Sequence, residues 1–423
     1  MASVSLSVSP VTGEQTMPSA DTIQQFQETF SFVRHEREDV RKMAIHGIAV
    51  HSKENRDLYL FLASAQYGPS CTDALLQCLH PGGKLVLGDI LTILINCSAD
   101  GSCAEMLVQR KVVRKAMRLL DGMARSDQPE SYVRSILELT LMLLNNLTAS
   151  HVTAIDDLLQ KNDEDMRGFY LGKLQVYYER FVSTMEAARS VVNGEAAAEV
   201  GEDAAKKTDH AASDDGEDLA NPKHTSLPAT SHRDLSRWIL HILLNVTRTL
   251  DGQELLLEDS EWRGTLSSSL SSPNPRHRYL AAQCYCNCSC SPKPLYSLIL
   301  KSDALVTAVE RLNCKEPIED IQKSLAEFIA SMLESEDGMA RLESVNAKKV
   351  LAGALDVSKA AHAAKVAASA SCVEVVEEDG SSVAATPAVT LAPSVSEFLE
   401  RSVLPYLDDI MDAYIAPGSD ELD

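Results

Sequence analysis

The chain has 423 residues, 45% of them apolar and only 5% aromatic, and its 61 acidic against 39 basic side chains give a formal charge of −22. Such a surface repels phosphate and excludes generic binding of nucleic acid or of anionic membrane. The length allows two or three domains, at about 150 residues each, or one long array, and a chain rich in Leu and Ala but poor in aromatics leans toward helix.

Residues 1–20 are rich in Ser, Val and Pro and read as a disordered arm; no basic stretch followed by an apolar run marks a secretory signal. Asp21 and Gln24 are spaced as a capping box, and Ile23, Phe26, Phe30 and Val33 share one face of the helix that follows. After the charged turn 35–39, Val40, Met43, Ala44 and Ile48 form the apolar stripe of a second helix, which completes a helical hairpin. The longest apolar stretch, 85–97, is too short to span a bilayer and contains Gly88, Asp89 and Asn96.

Further along, the apolar helices end in similar words: Asn96-Cys97-Ser98, Asn146-Leu147-Thr148, Asn245-Val246-Thr247 and Asn287-Cys288-Ser289. The asparagines lie 50, 99 and 42 residues apart. Residues 192–231 carry nine acids against three basic residues and read as a flexible insertion of 40 residues, which shortens the middle interval to 59. A period of roughly 40 to 60 residues reaches down to that of armadillo and HEAT repeats. A second marker opens the apolar helices at Glu38, Glu130 and Glu319, with a weaker relative at Pro275; an acid in the first turn suits the helix dipole.

Six helical units are expected, ending near Leu62, Leu107, Leu159, Leu257, Leu298 and Leu342. No unit buries its apolar face alone, which is the logic of an all-α, armadillo- or HEAT-like solenoid over residues 21–356. Residues 357–394, rich in Ala, Ser and Val, read as a low-complexity linker. Residues 395–423 read as an acidic amphipathic helix and tail with Leu407, Ile410, Met411 and Tyr414 on one face. The insertion and the segment 397–423 hold −13 of the net charge, so the array itself is mildly acidic.

Chemistry-bearing patterns are sparse. Cys284, Cys286, Cys288 and Cys290 offer four thiols, but alternate helical positions point about 200° apart and cannot converge on one ion without unwinding. Buried apolar-like cysteines in a reducing compartment fit better, with a metal or redox role as the rival. His35, His46 and His51 lack metalloprotease spacing, and Pro81-Gly82-Gly83-Lys84 lacks the rest of a phosphate loop and reads as a helix–helix turn. The Asp pairs at 156–157, 214–215 and 408–409 do not face each other on a helix. No catalytic residues, cofactor or metal are expected. Asn96, Asn146, Asn245 and Asn287 have two readings: they end helices and bond neighbouring loops, or their amides line a concave face and bind an extended partner.

The succession Asn96-Cys97-Ser98-Ala99-Asp100, Met142 to Thr148, Leu244 to Thr247 and Asn287 to Ser289 resembles the HGH family of armadillo-like proteins. Its strongest word is Pro317-Ile318-Glu319-Asp320-Ile321-Gln322-Lys323-Ser324-Leu325-Ala326-Glu327, similar to that family's last repeat, and the resemblance covers about 22–356. The acidic insertion, the C-terminal additions and a shortened segment between Leu300 and Pro317 depart from the family pattern. The resemblance implies a monomeric cytosolic adaptor, without catalytic residues, that helps fold translation elongation factor 2 together with the cytosolic chaperonin. An armadillo scaffold for another protein client is the alternative.

Overall fold

In the computed structural model, which describes residues 17–202, 234–290, 296–371 and 389–407, every regular element among the described residues is helical. Two units divide at Tyr170 and Leu171.

The first unit contains α1 (Ala20–Phe32), α2 (Glu38–His51), α3 (Arg56–Ala63), α4 (Gly68–Gln77), α5 (Leu87–Ser98), α6 (Gly101–Gln109), α7 (Val112–Ala124), α8 (Glu130–Ser150) and α9 (Val152–Leu159). After α2 they fall into threes: a short first helix, a second helix, and an apolar third. The third helices α2, α5 and α8 stack on one another, as do the first helices α3 and α6. The third helices form the middle of the stack; Leu87, Ile90, Leu91, Ile93, Leu94 and Cys97 of α5 are all buried. At roughly 2 kcal/mol for each fully buried Leu or Ile, this packing dominates the stability of a repeat.

The second unit repeats the grammar. Its helices are α10 (Phe169–Glu202), which begins at the division between units, α11 (Ser236–Val246), α12 (Leu250–Glu258), α13 (Ser260–Leu270), α14 (Pro275–Ser289), α15 (Tyr296–Ile299), α16 (Ala304–Leu312), α17 (Glu319–Met332), α18 (Glu336–Ser344), α19 (Ala347–Ser371) and α20 (Pro393–Ser402). Three ladders stack in parallel: α12, α15 and α18; α13, α16 and α19; and α11, α14, α17 and α20. Across the last ladder the Tyr285 and Phe328 rings meet at 5.2 Å. Three helices per repeat is the armadillo arrangement, so each unit is an all-α, armadillo-like stack.

The sequence marks two helices per unit; the third, extra one is the short first helix, begun by the residues just after the Asn-x-Ser/Thr words. Asp100 Oδ1, Thr249 Oγ1 and Ser335 Oγ each accept a hydrogen bond from the backbone N–H three residues on, at 3.0, 3.2 and 3.3 Å. These are N-caps, and they fix the sharp turn out of the third helix. Gly252 and Gly338 sit in that turn because a Cβ there would lie 2.2 Å from the carbonyl oxygens of Val246 and Met332.

Ser19, rather than Asp21, caps α1: its Oγ accepts from the Thr22 N–H at 3.2 Å, and Asp21 lies in the first turn. Pro81 to Lys84 lie between α4 and α5, as a turn. Helix α19 runs to Ser371, into the segment expected as a linker, where Ala is the best helix former. Residues 389–392 return to the array on Gln322, whose Oε1 accepts from Ala392 N at 2.8 Å and whose Nε2 donates to Thr390 O at 2.9 Å. Helix α20 then packs on α17. Within the expected insertion α10 continues to Glu202, and 203–231 lie outside the described residues. So do 1–16 and, in the expected terminal helix, Ile410, Met411 and Tyr414.

Candidate protein-interaction surface

The four asparagines end the third helices, and the structure shows where three of their amides go. Asn96 Nδ2 donates to Ser52 Oγ at 2.8 Å, Asn146 Nδ2 to Ser98 Oγ at 3.1 Å, and Asn287 Nδ2 to Thr247 Oγ1 at 3.0 Å. Each hydroxyl in turn donates to a carbonyl of its own helix: Ser52 to Ala49, Ser98 to Ile95, Thr247 to Leu244. The hydroxyl is therefore an acceptor for the amide, which fixes the amide's orientation. In the words at Asn96, Asn146 and Asn287 the Asn binds the preceding repeat, and Ser98 and Thr247 receive the Asn of the next. Asn245 is buried at the same register of α11; Asn96, Asn146 and Asn287 are half-buried.

A different set of side chains opens to the surface on α11, α14 and the start of α17. Arg237, Trp238 and His241, then Arg276 and Tyr279, then Ile318 and Asp320, surround a groove of about 620 Å³. The Arg237 guanidinium lies over the Trp238 ring, 4.9 Å from its centroid, and the His241 ring is 5.8 Å from it. Tyr279 and Ile318 are 40% and 37% exposed, high for large apolar groups in a packed array. Burial, with the charges of Arg237 and Arg276, pushes the His241 imidazole below its ordinary value. The buried indole N–H of Trp238 has no acceptor among the described residues.

Sequence reading missed this groove. Its signal is the spacing: Trp238 stands seven residues before Asn245 and Tyr279 eight before Asn287, so an aromatic recurs about two turns ahead of the Asn on two successive third helices, offset by one residue.

Asp234, Ser236 and His277 meet and look like a catalytic group. However, His277 Nε2 faces both Asp234 Oδ2, at 2.7 Å, and Ser236 Oγ, at 3.3 Å. A proton relay needs the acid and the hydroxyl on opposite ring nitrogens, so this cluster ties α11 to α14 and activates no nucleophile. Asn274 Nδ2 completes it at 2.8 Å from Asp234 Oδ2. Burial alone would raise the Asp234 carboxyl, but hydrogen bonds from His277 and Ser236 hold it down to about 2.

The cysteines diverge as their spacing predicts. Cys284 and Cys288 are buried in the core, Cys286 Sγ donates to Ser324 O at 3.1 Å, and Cys290 is exposed. Burial pushes the Cys284 thiol up to about 12 and raises those of Cys286 and Cys288 as well. Among the described residues no group of three or more His, Cys, Asp or Glu could hold a metal ion, and no helix is long and apolar enough to cross a membrane.

No protein-family model matches this sequence, and no curated protein matches it. Its structure is similar to that of an engineered protein solved by a structural genomics consortium, with a TM-score of 0.53 over 77% of this chain at 12% identity; this chain spans 62% of that protein's length. It is also similar to a designed armadillo repeat protein (TM-score 0.48, 10% identity, 72% of this chain and 98% of the other). Another designed armadillo repeat protein, in complex with the peptide (KR)4, gives a TM-score of 0.49, at 10% identity and the same coverage of both chains. These likenesses concern the fold alone.

Proposed function

We propose that this chain is a non-catalytic adaptor that holds a protein client on its stacked third helices. The observation that carries this reading is the groove across α11, α14 and α17, where three repeats turn aromatic, basic and apolar side chains outward around one opening. Packed helices bury such groups unless a partner covers them.

The client class comes from the sequence. The words from Asn96 to Ser289, and above all Pro317 to Glu327, support a monomeric cytosolic adaptor that assists folding of elongation factor 2 with the cytosolic chaperonin. Affinity capture from cytosol with mass spectrometry tests it: both elongation factor 2 and chaperonin subunits are expected, and recovery of neither overturns the assignment. Recovery of other proteins in their place favours the alternative, a scaffold for a different client. Stoichiometric zinc or iron in the purified protein would instead revive the metal or redox reading of Cys284 to Cys290.

Asn96, Asn146, Asn245 and Asn287 are a second candidate contact for the client. For Asn96, Asn146 and Asn287 an amide N–H is already engaged with the preceding repeat, which favours a role in stacking. Replacing all four with Ala separates the roles: lost capture at an unchanged melting midpoint assigns them to binding, and a lowered midpoint with capture retained assigns them to stacking.

A further inference from the structure

We infer that residues 408–415 of this same chain dock on the pocket between α18 and α19, through Ile410, Met411 and Tyr414, and so cap the last described repeat. This docking is independent of the adaptor reading, which concerns α11, α14 and α17.

The pocket measures about 280 Å³. Leu342 near the end of α18, Ala347 and Ala352 at the start of α19, and Leu407 beyond α20 form its apolar wall. That volume falls just short of the range of about 300–1,000 Å³ typical of small-molecule sites and suits inserted side chains better. Its place in the stack explains why it is open. Helices α18 and α19 are the last members of their ladders among the described residues, after α12 and α15 and after α13 and α16. A repeat with no successor keeps part of its apolar wall uncovered, and solenoids meet this with a capping element that is polar on its outer side.

The occupant follows from where the chain leads. Leu407 is 4% exposed, belongs to the pocket wall, and is the residue at which the described segment 389–407 stops. Residues 408–415 therefore start at the wall itself, with no linker to cross, which gives them a high effective concentration over the pocket. Their sequence continues the wall: Leu407, Ile410, Met411 and Tyr414 fall at i, i+3, i+4 and i+7, one helical face. Asp408, Asp409 and Asp412 fall off that face and stay in water when it is turned down, and Pro417-Gly418 mark a stop. A helix of eight residues is about 12 Å long, so the stripe reaches only the neighbouring turns. A segment that short does not hold a helix alone in water and needs a surface to pack on. Charge adds little, because the rim carries an exposed lysine, Lys349, and an exposed acid, Glu343, alike; apolar contact has to carry the docking.

The test uses the full chain in dilute solution, with the photoreactive residue benzoylphenylalanine in place of Tyr414. After irradiation, mass spectrometry is expected to find crosslinks within one chain to residues 342–352. Ile410→Asp with Met411→Asp should abolish them and speed amide exchange over 342–352 at least tenfold while α14 stays protected. Ala352→Trp, which fills the pocket from its wall, should reduce the crosslinks several-fold. Asp408→Asn with Asp412→Asn should leave both readouts unchanged, as should a rise of salt from about 50 to about 500 mM. Crosslinks to other regions, equal exchange in the Ile410 and Met411 double variant and the parent, or full crosslinking in a folded Ala352→Trp protein overturns the docking. Crosslinks that join two copies assign the pocket to a second chain and overturn it as well.

Discussion

The side-chain amide of Asn146 donates to the hydroxyl of Ser98, 3.1 Å away, and so joins the end of one third helix to the end of the one before it. The same amide also reaches the Ile95 carbonyl at 3.4 Å. Asn146→Ala leaves the buried Ser98 hydroxyl and the Ile95 carbonyl without this donor, an expected cost of about 1–2 kcal/mol. For a unit of this size that lowers the melting midpoint by several degrees. Calorimetry checks it, and an unchanged midpoint would show that the bond adds nothing to stacking.

Glycine substitutions should split by sign. Gly252→Ala and Gly338→Ala force a Cβ against the preceding helix's carbonyl and should destabilise by about 2 kcal/mol or more, although Ala is the better helix former. Gly264, exposed within α13 with nothing within 4 Å of its Cβ position, should gain about 0.5–1 kcal/mol from the same change. Urea midpoints for the three variants decide it.

The Asp234 carboxyl supplies a pH dependence. Its folded value of about 2 lies below the unfolded value of about 3.9, so its contribution to stability is present above about pH 4 and is lost as the pH falls toward 2. Asp234→Asn should be less stable at neutral pH and show a flatter profile between pH 4 and 2. Urea midpoints of both proteins across that range are the measurement; parallel profiles would refute the assignment.

Gln322 holds the returning segment with its amide, donating also to Glu316 O at 2.6 Å. Gln322→Leu keeps the volume and removes those bonds. Amide exchange over 389–403 should accelerate by at least tenfold while α14 stays protected. Equal protection in the two proteins would show that α20 docks through its apolar face alone.

Much of this architecture was legible because it is written in helix ends. Glu38, Glu130, Pro275 and Glu319 are the first residues of α2, α8, α14 and α17. The expected unit ends, from Leu62 to Leu342, each fall within a first helix: α3, α6, α9, α12, α15 or α18. Those helices themselves escaped notice because most are only eight or nine residues long, about two turns, too few for a 3.6-residue period to stand out from a polar loop. The groove was hidden for another reason. Arg237, Trp238 and Tyr279 read as ordinary helix residues until three helices are stacked, since only stacking decides which flank stays uncovered. For the asparagines, spacing identified the register, but the choice of partner depended on a hydroxyl 40 to 48 residues earlier in the chain.

That variable interval has a wider consequence. The bond from Asn to the earlier hydroxyl spans 44, 48 and 40 residues at its three occurrences and is made the same way each time. The joint is blind to contour length: it recognises the terminus of a helix and not the amount of chain looped out since the previous one. A lineage can lengthen or trim the connecting stretches of any repeat and still reassemble the stack in phase, which is how a protein of this kind accommodates departures from a strict period.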